Sequence, residues 1–503
     1  MVALRSWLSR LDTVLGRATM YRLVLVLLLV LAAYAFVLSA AGLLAFTPAE
    51  LGATLATAVV TAWSGTRVMA MLFRTRPHTE SSLITGLLLF FVMFPSAEAP
   101  GVGGVALAGL LAAASKYLLV FRGRHIFNPA AFGAAAVTLL GLGAAAWWAA
   151  NPAMLPVVLL CTILILYRTR KLLMGAVFVL LAVGILVVRL AAGGTDPAAA
   201  LQLVFVSYPV LFLLGFMLTE PLTLPPRRWQ QLLVAAVVAV VLALQISIPP
   251  VFLGPEFALL IGNAVAFGMG QRRRIRLRYT GSRQLTPTSA EVSFTPESPV
   301  RFKPGQYMEL TLPHARPDRR GLRRIFSISS APDDGTVRFG LRLSNPSSTF
   351  KAALLNLRPG ASVDATTVAG DFVLPSDPSV PLLLFAGGIG VTPFLSQLRS
   401  PAGTERDVVL IYLVSAPAEL GYVEELAQSR VILFCPGDPG PLPGTWTRGG
   451  TGFPRVEELR SLIPDLDKRR VYLSGSPATL ARAKPIIRGA GVRSLRTDAF
   501  LGY

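Results

Sequence analysis

The chain has 503 residues, of which 53% are hydrophobic and only 15% are charged, with a formal net charge of +20. Soluble domains carry roughly 25% charged residues, so the composition argues against an ordinary soluble protein and favours a membrane protein. The positive charge does not indicate a nucleic-acid partner, because many of the arginines lie in short clusters between apolar runs.

Apolar segments dominate the chain up to about residue 269. The first of them, residues 23–46, has no charge and exceeds the roughly 20 residues needed to span a bilayer. It is also longer than the roughly 7–15 residues of a signal-peptide core, so we expect a cytoplasmic segment 1–22 and a retained first span. A polytopic α-helical membrane domain of about ten spans is predicted over residues 23–270, with segments near 23–46, 51–72, 82–95, 101–120, 129–150, 153–167, 172–188, 201–218, 230–247 and 251–269.

Arginine-rich connections follow every second apolar segment. They read FRTRPH, FRGRH, YRTRK, PPRRWQ and QRRRIRLR, whereas the alternate connections, such as TPAE and SAEAPG, have few basic residues. Positively charged loops stay in the cytoplasm. We therefore expect an integral plasma-membrane protein, in contact with the lipid bilayer, whose N-terminus, arginine-rich loops and C-terminal half are cytoplasmic.

The second half of the chain has the patterns of two smaller domains. Residues 277–375 alternate short β-type runs with turns, which favours an antiparallel β-barrel domain over 271–376. The run VPLLLFAGGIGVTPFLSQLRS then places a strand, a glycine turn and a helix start in order. This geometry brings backbone N–H groups to a diphosphate and predicts an α/β nucleotide-binding domain over 377–503.

One extended segment of the expected barrel has the side chains that a flavin dinucleotide requires. The run RRIFSISSAP contains Arg324, Phe326, Ser327 and Ser330. An aromatic ring can stack on a ring system, a hydroxyl can bond a ring nitrogen, and an arginine can bind a diphosphate with two donors. A plain strand with an exposed arginine would explain the same residues.

Seven motifs in order carry a resemblance to a known family. They are FKPGQY (302–307), RIFSISSAP (324–332), SSTFKAAL (347–354), GDFVL (370–374), AGGIGVTP (386–393), SGSP (474–477) and FLGY (500–503). On these motifs the second half, about 225 residues, resembles the ferredoxin–NADP reductase superfamily. Phe326 stands where the family has a tyrosine, and Ser474 stands where it usually has a cysteine.

The resemblance implies an NAD(P)H-dependent flavin oxidoreductase in which hydride passes from nicotinamide C4 to flavin N5. The residues it implies for FAD are Gln306, Tyr307, Arg324, Phe326, Ser327, Ser330, Ser348, Thr349 and Gly370. Those implied for NAD(P)H are Gly387, Gly388, Gly390, Thr392, Pro393 and Gly475, and those next to the transferred hydride are Ser327, Ser474 and Tyr503. No clear arginine follows the 407–415 strand to bind a 2′-phosphate, so NADH and NADPH both stay open.

The remaining composition restricts the electron acceptor. The histidines are His78 and His125, in expected cytoplasmic loops, and His314, in the flavin domain. A two-haem pathway needs paired histidines on facing helices, and an iron–sulfur cluster needs four thiolates, whereas the chain has only Cys161 and Cys435. We therefore expect no haem, no iron–sulfur cluster and no other metal.

The membrane half carries a second resemblance. SSLITGLLL (81–89), FNPAAFG (127–133) and GFMLTEPLT (215–223) resemble segments of the D subunit of the Rnf electron-transport complex and the B subunit of sodium-translocating NADH:quinone reductase. Those subunits hold flavin, and the second takes part in quinone reduction. The Ser-Gly-Ala-Thr motif for covalent FMN is missing from the corresponding region, so the resemblance implies noncovalent FMN or riboflavin, a quinone, or both.

Several polar residues of the membrane half are candidates for an acceptor site. Helix-end capping and packing would explain them, because Asn-Pro and Glu-Pro mark segment boundaries in any case. Polar residues at membrane depth are costly, which favours a pocket between broken helices on the cytoplasmic side. The candidates are Thr85, Lys116, Asn128, Pro129, Thr219 and Glu220.

These patterns together predict a membrane-bound oxidoreductase. FAD takes hydride from NAD(P)H, and the electrons pass to a noncovalent flavin, a quinone or both in the membrane domain. One alternative is a transporter or channel with a redox-sensing reductase domain. Another is the electron-input subunit of a larger complex, whose acceptor lies on a partner chain.

Overall fold

A computed structural model describes residues 20–500 except 76, 78, 122–123, 226, 249–250, 270–274, 315–317, 319–321, 345–346, 401–402 and 404–405. Tyr503, His78 and residues 1–19 of the expected N-terminal segment lie outside the described residues. The chain divides into two compact units, one before and one after residues 270–274.

The first unit consists of apolar helices, several of which begin with a proline in the first turn. Proline suits this position because its φ is already helical and it lacks the N–H that the first turn leaves unpaired. Side-chain oxygens of Thr47, Asn128 and Asp196 cap three helices by accepting backbone N–H groups. The helices are α1 (Met20–Ala40), α2 (Pro48–Leu72), α3 (Thr79–Val92), α4 (Ala99–Leu118), α5 (Pro129–Leu139), α6 (Leu155–Thr169), α7 (Leu172–Ala192), α8 (Pro197–Ser207), α9 (Val210–Leu218), α10 (Arg228–Leu244) and α11 (Pro255–Gly268).

The expected ten spans correspond to fewer full-length membrane helices. Among the described residues, α1, α2, α4 and α7 are long and apolar enough to cross a membrane, and α8 with α9, bent by 52° at their break, counts as a fifth if the pair is one span. The other apolar helices have 10–17 residues. At 1.5 Å per residue they reach only about 15–26 Å, less than the roughly 30 Å of a hydrocarbon core.

The packing of the first unit repeats along the chain. Helix α2 packs against α3 and α4, and α4 packs against α5. In the second half, α7 packs in the same way against α8 and α10, and α10 packs against α11. The two halves meet where α1 contacts α6 and where α5 contacts α11. Within the described parts of the chain, each half also has a pair of short antiparallel strands, β1 (Val120–Phe121) with β2 (Arg124–His125), and β3 (Ser247–Ile248) with β4 (Val251–Phe252).

The second unit begins with an antiparallel sheet. Its strands are β5 (Ile275–Thr286), β6 (Ser289–Pro296), β7 (Tyr307–Thr311), β8 (Arg323–Ser327), β9 (Val337–Arg342) and β10 (Ser362–Ala369), in the order β8-β7-β10-β5-β6-β9. A bridge between Ile328 and Phe339 joins the two edge strands, which closes the sheet into a barrel. Helix α12 (Thr349–Leu355) packs on it through the buried Phe350 and Leu354.

A parallel sheet follows, as the strand and glycine-turn pattern predicts. Its strands are β11 (Leu382–Gly387), β12 (Val408–Leu413), β13 (Val431–Phe434), β14 (Trp446–Gly450), β15 (Arg470–Gly475) and β16 (Leu495–Ala499), in the order β14-β13-β12-β11-β15-β16. The central strand β11 is buried on both faces, which explains its continuous apolar sequence. Helices α13 (Thr392–Leu398), α14 (Val456–Leu462) and α15 (Pro477–Gly489) complete the domain.

Candidate functional site

The glycine turn after β11 leaves open space beside its backbone. Gly388 has a φ of +54°, and a Cβ added there would meet nothing within 4 Å, so its backbone faces open space. A Cβ on Gly390 would lie 2.6 Å from the Ser474 carbonyl oxygen, so this glycine permits the close approach of β15. Thr392 and Pro393 then begin α13. The turn therefore brings together the predicted NAD(P)H-binding residues of β11, α13 and β15.

Ser474 lies at the end of β15, beside Ala386 of β11. Its side chain is fully buried, and no described residue hydrogen-bonds its Oγ. A buried polar group without a partner costs about 1–3 kcal/mol. A hydroxyl kept at this cost, next to Gly475 and the open glycine turn, fits the polar edge of a bound nicotinamide.

Gly340 of β9 brings the barrel and the parallel domain into contact. A Cβ at Gly340 would lie 2.5 Å from the Thr392 side chain and 2.6 Å from the Tyr422 hydroxyl. Burial, together with the neighbouring Glu291 carboxylate, raises the pKa of Tyr422 well above its usual value. Tyr422 is therefore neutral at this contact at physiological pH.

The predicted diphosphate residues lie together at the start of α12. Arg324 is buried, donates from Nη2 to Asp318 Oδ1 at 2.6 Å, and lies 5.2 Å over the Phe350 ring. Thr349 Oγ1 accepts the Asp318 backbone N–H at 3.0 Å, and the Ser348 hydroxyl caps α12. The Asp318 carboxylate thus lies between Arg324 and the start of α12. A diphosphate is also an anion and could take the same position.

A second group of predicted flavin residues meets at the other end of β7. Tyr307 pairs with Ser327 across β7 and β8, and Gln306 Nε2 donates to the Gly370 carbonyl at 3.1 Å. Gly370 has a φ of +115°, and a Cβ there would lie 3.1 Å from the Tyr307 ring. These contacts place Gln306, Tyr307, Ser327 and Gly370 in one cluster.

Two of the predicted flavin residues, Phe326 and Ser330, are buried within the barrel and contact other residues of it. Phe326 is buried in the barrel core, with its ring centroid 6.1 Å from those of Phe339 and Phe350. Ser330 is fully buried, and its Oγ accepts the Arg338 backbone N–H at 3.2 Å. The alternation of β8 turns Phe326 inward, so its stacking on a flavin ring stays a prediction.

A separate polar cluster lies within the first unit. The Glu220 carboxylate contacts His125 Nε2 through Oε1 at 3.1 Å and accepts from Asn128 Nδ2 through Oε2 at 2.8 Å. The Asn128 backbone N–H donates to Asn263 Oδ1 at 2.8 Å, and the Asn128 side chain caps α5, which starts at Pro129. Asn128 and Glu220, predicted from distant motifs, are therefore in direct contact.

The remaining candidates of the membrane half bond elsewhere. Lys116 Nζ donates to the Ser81 carbonyl at 3.0 Å and to Ser81 Oγ at 3.2 Å. Thr85 and Thr219 each donate to a carbonyl of their own helix four residues earlier, which is a local structural role rather than a site contact.

Sequence reasoning missed three members of this region, namely His125, Asn263 and Ser81. The position of His125 in an expected loop argued only against haem ligation, although this histidine lies three residues before the Asn-Pro motif. Asn263 is an amide within an otherwise apolar segment, and the cost of a polar side chain at that depth was a usable signal. The Ser81 contact to Lys116 joins residues too far apart in sequence for a local pattern to show.

No family model matches the chain. Over 232 residues it is 26% identical to the reductase component of propane 2-monooxygenase from Rhodococcus jostii, a match covering 43% of this chain and 60% of that protein. Over 228 residues it is 29% identical to an NADPH oxidoreductase from Mycobacterium tuberculosis, covering 44% of this chain and 58% of that protein. Over 216 residues it is 29% identical to ferredoxin–NADP reductase B from Sorangium cellulosum, covering 42% of this chain and 85% of that protein.

Among solved structures, the Amycolatopsis cytochrome P450 reductase GcoB overlaps 45% of this chain and 70% of its own, with 23% identity and a TM-score of 0.39. An overlap at this level supports no conclusion by itself. The chain spans about 60% of the length of the first two curated relatives.

The barrel, the parallel sheet and the glycine turn define the class of the second unit. It is similar to the NAD(P)H-dependent flavin oxidoreductases of the ferredoxin–NADP reductase superfamily, whose members transfer electrons from NAD(P)H. The open turn at Gly388 and the buried Ser474 hydroxyl fit NAD(P)H, and the anion position at Arg324 fits the FAD diphosphate. The resemblance of the first unit to the Rnf and sodium-translocating subunits stays a prediction from its motifs.

Proposed function

We propose that this chain is a membrane-bound oxidoreductase that carries electrons from NAD(P)H, through FAD in its second unit, to an acceptor in its first unit. The acceptor is a quinone, a noncovalent FMN or riboflavin, or both. One observation carries the proposal: a reductase-like unit and an apolar helical unit with a partly buried Asn128–Glu220 contact belong to the same chain.

In the second unit, the chain's own residues bind and align the nucleotides. The Gly388 turn presents backbone to NAD(P)H, the Ser474 hydroxyl orients the nicotinamide, and Arg324 offsets the charge of the flavin diphosphate. FAD, when bound, supplies the conversion of a two-electron hydride into separately transferable electrons. Asp318 holds Arg324 in place and must leave the guanidinium or share it when a diphosphate binds.

In the first unit, apolar length and arginine distribution support a membrane location. The long helices are apolar enough to cross a bilayer, and the arginine-rich connections follow alternate apolar segments. We propose a plasma membrane in which these connections and the reductase unit are cytoplasmic, because positive loops are retained there. NAD(P)H would then be taken from the cytoplasm.

Steady-state turnover of the purified full-length chain in lipid nanodiscs tests the proposal. NAD(P)H oxidation is followed with decylubiquinone, and separately with ferricyanide, a water-soluble acceptor that collects electrons from the reductase unit itself. We expect turnover with both acceptors. Turnover with ferricyanide but not with any quinone, in protein whose extracted flavin is FAD alone, would reject the membrane acceptor.

A second candidate function has its own support. The relatives include proteins named as the reductase component of propane 2-monooxygenase and the electron transfer component of toluate 1,2-dioxygenase. By analogy, this chain would be the electron-input subunit of a larger complex and would pass electrons to a partner protein. Quinone-independent turnover that appears only when a membrane extract is added back would favour this candidate.

A further inference from the structure

The polar cluster of the first unit joins the two halves of the helical repeat. His125 and Asn128 come from the first half, and Glu220 and Asn263 come from the second. The side chains of His125 and Glu220 are 12% and 18% exposed, whereas Asn128 and Asn263 are each only 2% exposed. The titratable pair therefore forms the accessible end of the cluster, and two amides that cannot titrate form its buried end.

The His125–Glu220 pair can hold a transferable proton. Its 3.1 Å contact joins an imidazole to a carboxylate, and an imidazole changes its protonation state readily near neutral pH. Among the described residues, Lys116 of α4 also attracts the Glu220 carboxylate electrostatically. The Asn128 amide also contacts the pair, through the Glu220 carboxylate, and Asn263 of α11 in turn accepts the Asn128 backbone N–H.

The backbone that leads to Glu220 is unusual. Residues Leu213–Leu218 form π-helical turns, and all six are buried. Such wide turns are rare and frequently lie at functional sites. Glu220 lies two residues beyond the end of this helix, and its N–H bonds the Met217 carbonyl at 3.3 Å, which ties the residue back to the last helical turn.

We propose that the His125–Glu220 pair delivers protons to the acceptor of the first unit, and this inference rests on the proposed function. The overall reaction with a quinone Q is NAD(P)H + H⁺ + Q → NAD(P)⁺ + QH₂. At each delivery an N–H bond of the His125 imidazolium breaks and an O–H bond of the reduced quinone forms. Two deliveries make QH₂, and the hydrogen that arrives as hydride leaves the second unit as a proton to water, so the net uptake is one H⁺. Glu220 holds the neutral imidazole until water on the side of the arginine-rich loops returns a proton.

A proton-delivering pair indicates an acceptor that takes up protons together with electrons. Quinones and isoalloxazines both take up protons with their electrons, a quinone at oxygen and an isoalloxazine at nitrogen. A general acid is useful to either one, and typically contributes about 10²–10⁴-fold to a rate. Ionisable residues inside membrane proteins are costly and commonly mark such proton paths.

The test uses the full-length protein in nanodiscs and three variants. Glu220→Gln keeps the shape and an acceptor for Asn128 but cannot take a proton, and His125→Ala removes the imidazole. Glu256→Gln is the matched control, because Glu256 is a buried carboxylate at the start of α11 whose Oε2 accepts from Trp147 Nε1 at 2.8 Å. Ferricyanide turnover reports whether each variant still has a folded, working reductase unit.

We expect Glu220→Gln and His125→Ala to slow decylubiquinone reduction by roughly 10²-fold near pH 8, with ferricyanide turnover unchanged. The deficit should shrink as the pH falls, because solvent protons then replace the missing donor. Added imidazole should restore quinone reduction in His125→Ala and leave Glu256→Gln and the wild type unchanged.

Two results would overturn the inference, and they are distinguishable. Wild-type rates in both variants at every pH, without an effect of imidazole, would show that the pair delivers no protons although the proposed function stands. A wild-type protein that reduces neither decylubiquinone nor a bound membrane flavin would reject the proposed function, and the inference with it. Where a variant is recovered without ferricyanide turnover, Glu220→Ala and His125→Gln take its place.

Discussion

Replacing Asn128 should separate reduction of the membrane acceptor from oxidation of NAD(P)H. Asn128→Leu removes the 2.8 Å hydrogen bond to the Glu220 carboxylate and the cap on α5. A hydrogen bond to a charged group contributes about 1.5–3 kcal/mol. If the acceptor site needs Glu220 in this position, that loss lowers the quinone rate by roughly 10- to 150-fold, since about 1.4 kcal/mol corresponds to a factor of ten.

The second lost interaction must be controlled, because removal of an N-cap costs about 0.5–2 kcal/mol of stability. Asn128→Ser is the matched variant: serine caps a helix as well as asparagine does but is too short to reach Glu220. Both variants are assayed in nanodiscs with decylubiquinone and with ferricyanide. Equal loss of both activities in Asn128→Leu, or normal quinone reduction in Asn128→Ser, would refute the role that we assign to the Glu220 contact.

Three further changes test the second unit. Ser474→Ala should raise the melting temperature of nucleotide-free protein, because it removes a buried hydroxyl without a partner, and should lower kcat/KM for NAD(P)H; a lower melting temperature would mean that the hydroxyl has a partner. Gly390→Ala should destabilise the unit by about 1–3 kcal/mol in urea unfolding, because its Cβ would lie 2.6 Å from backbone; unchanged stability would contradict the crowding. The hydrogen bond from Arg469 holds the pKa of Asp465 below its usual value, so the stability that this ion pair contributes is complete at neutral pH and is lost as the pH falls below about 4. The melting temperature should therefore fall less on acidification in Asp465→Asn than in the wild type. An equal fall in both proteins would contradict this.

The fold of the second unit could be predicted because its signals lie within short stretches of sequence. The continuous apolar run of β11 and the three glycines at and after its end predicted a buried parallel strand and a tight turn, and the structure has both. The inward turn of Phe326 was harder to foresee. It depends on which face of β8 looks into the barrel, and the closure of the barrel through Ile328 and Phe339 decides that.

In the first unit, sequence patterns did not predict the lengths of the helices. Residues 129–150 are apolar throughout and predicted a span, but α5 ends at Leu139, and the chain turns at Gly141, whose φ is +68°. It then returns so that Ala145 pairs with Met93. An apolar sequence predicts that a segment is buried but not what buries it. Here the segment packs inside the helical unit and does not form a full membrane-crossing helix.

The internal repeat and the polar cluster were hidden for a related reason. The repeat is one of packing partners, which the residue identities do not display. The contact between Asn128 and Asn263 joins residues 135 positions apart, and the contact between Asn128 and Glu220 joins residues 92 apart. Motif resemblance pointed to two of these residues, and only the fold brings the third to them.

Anaerobic stopped-flow measurement on the full-length chain in nanodiscs tests the central claim most directly. The flavin is first reduced with one equivalent of NAD(P)H and then mixed with decylubiquinone, and its absorbance is followed. We predict that the quinone reoxidises the flavin in the wild type and does so much more slowly in Asn128→Leu. A flavin that ferricyanide reoxidises but decylubiquinone leaves reduced would contradict electron transfer to a quinone through the first unit.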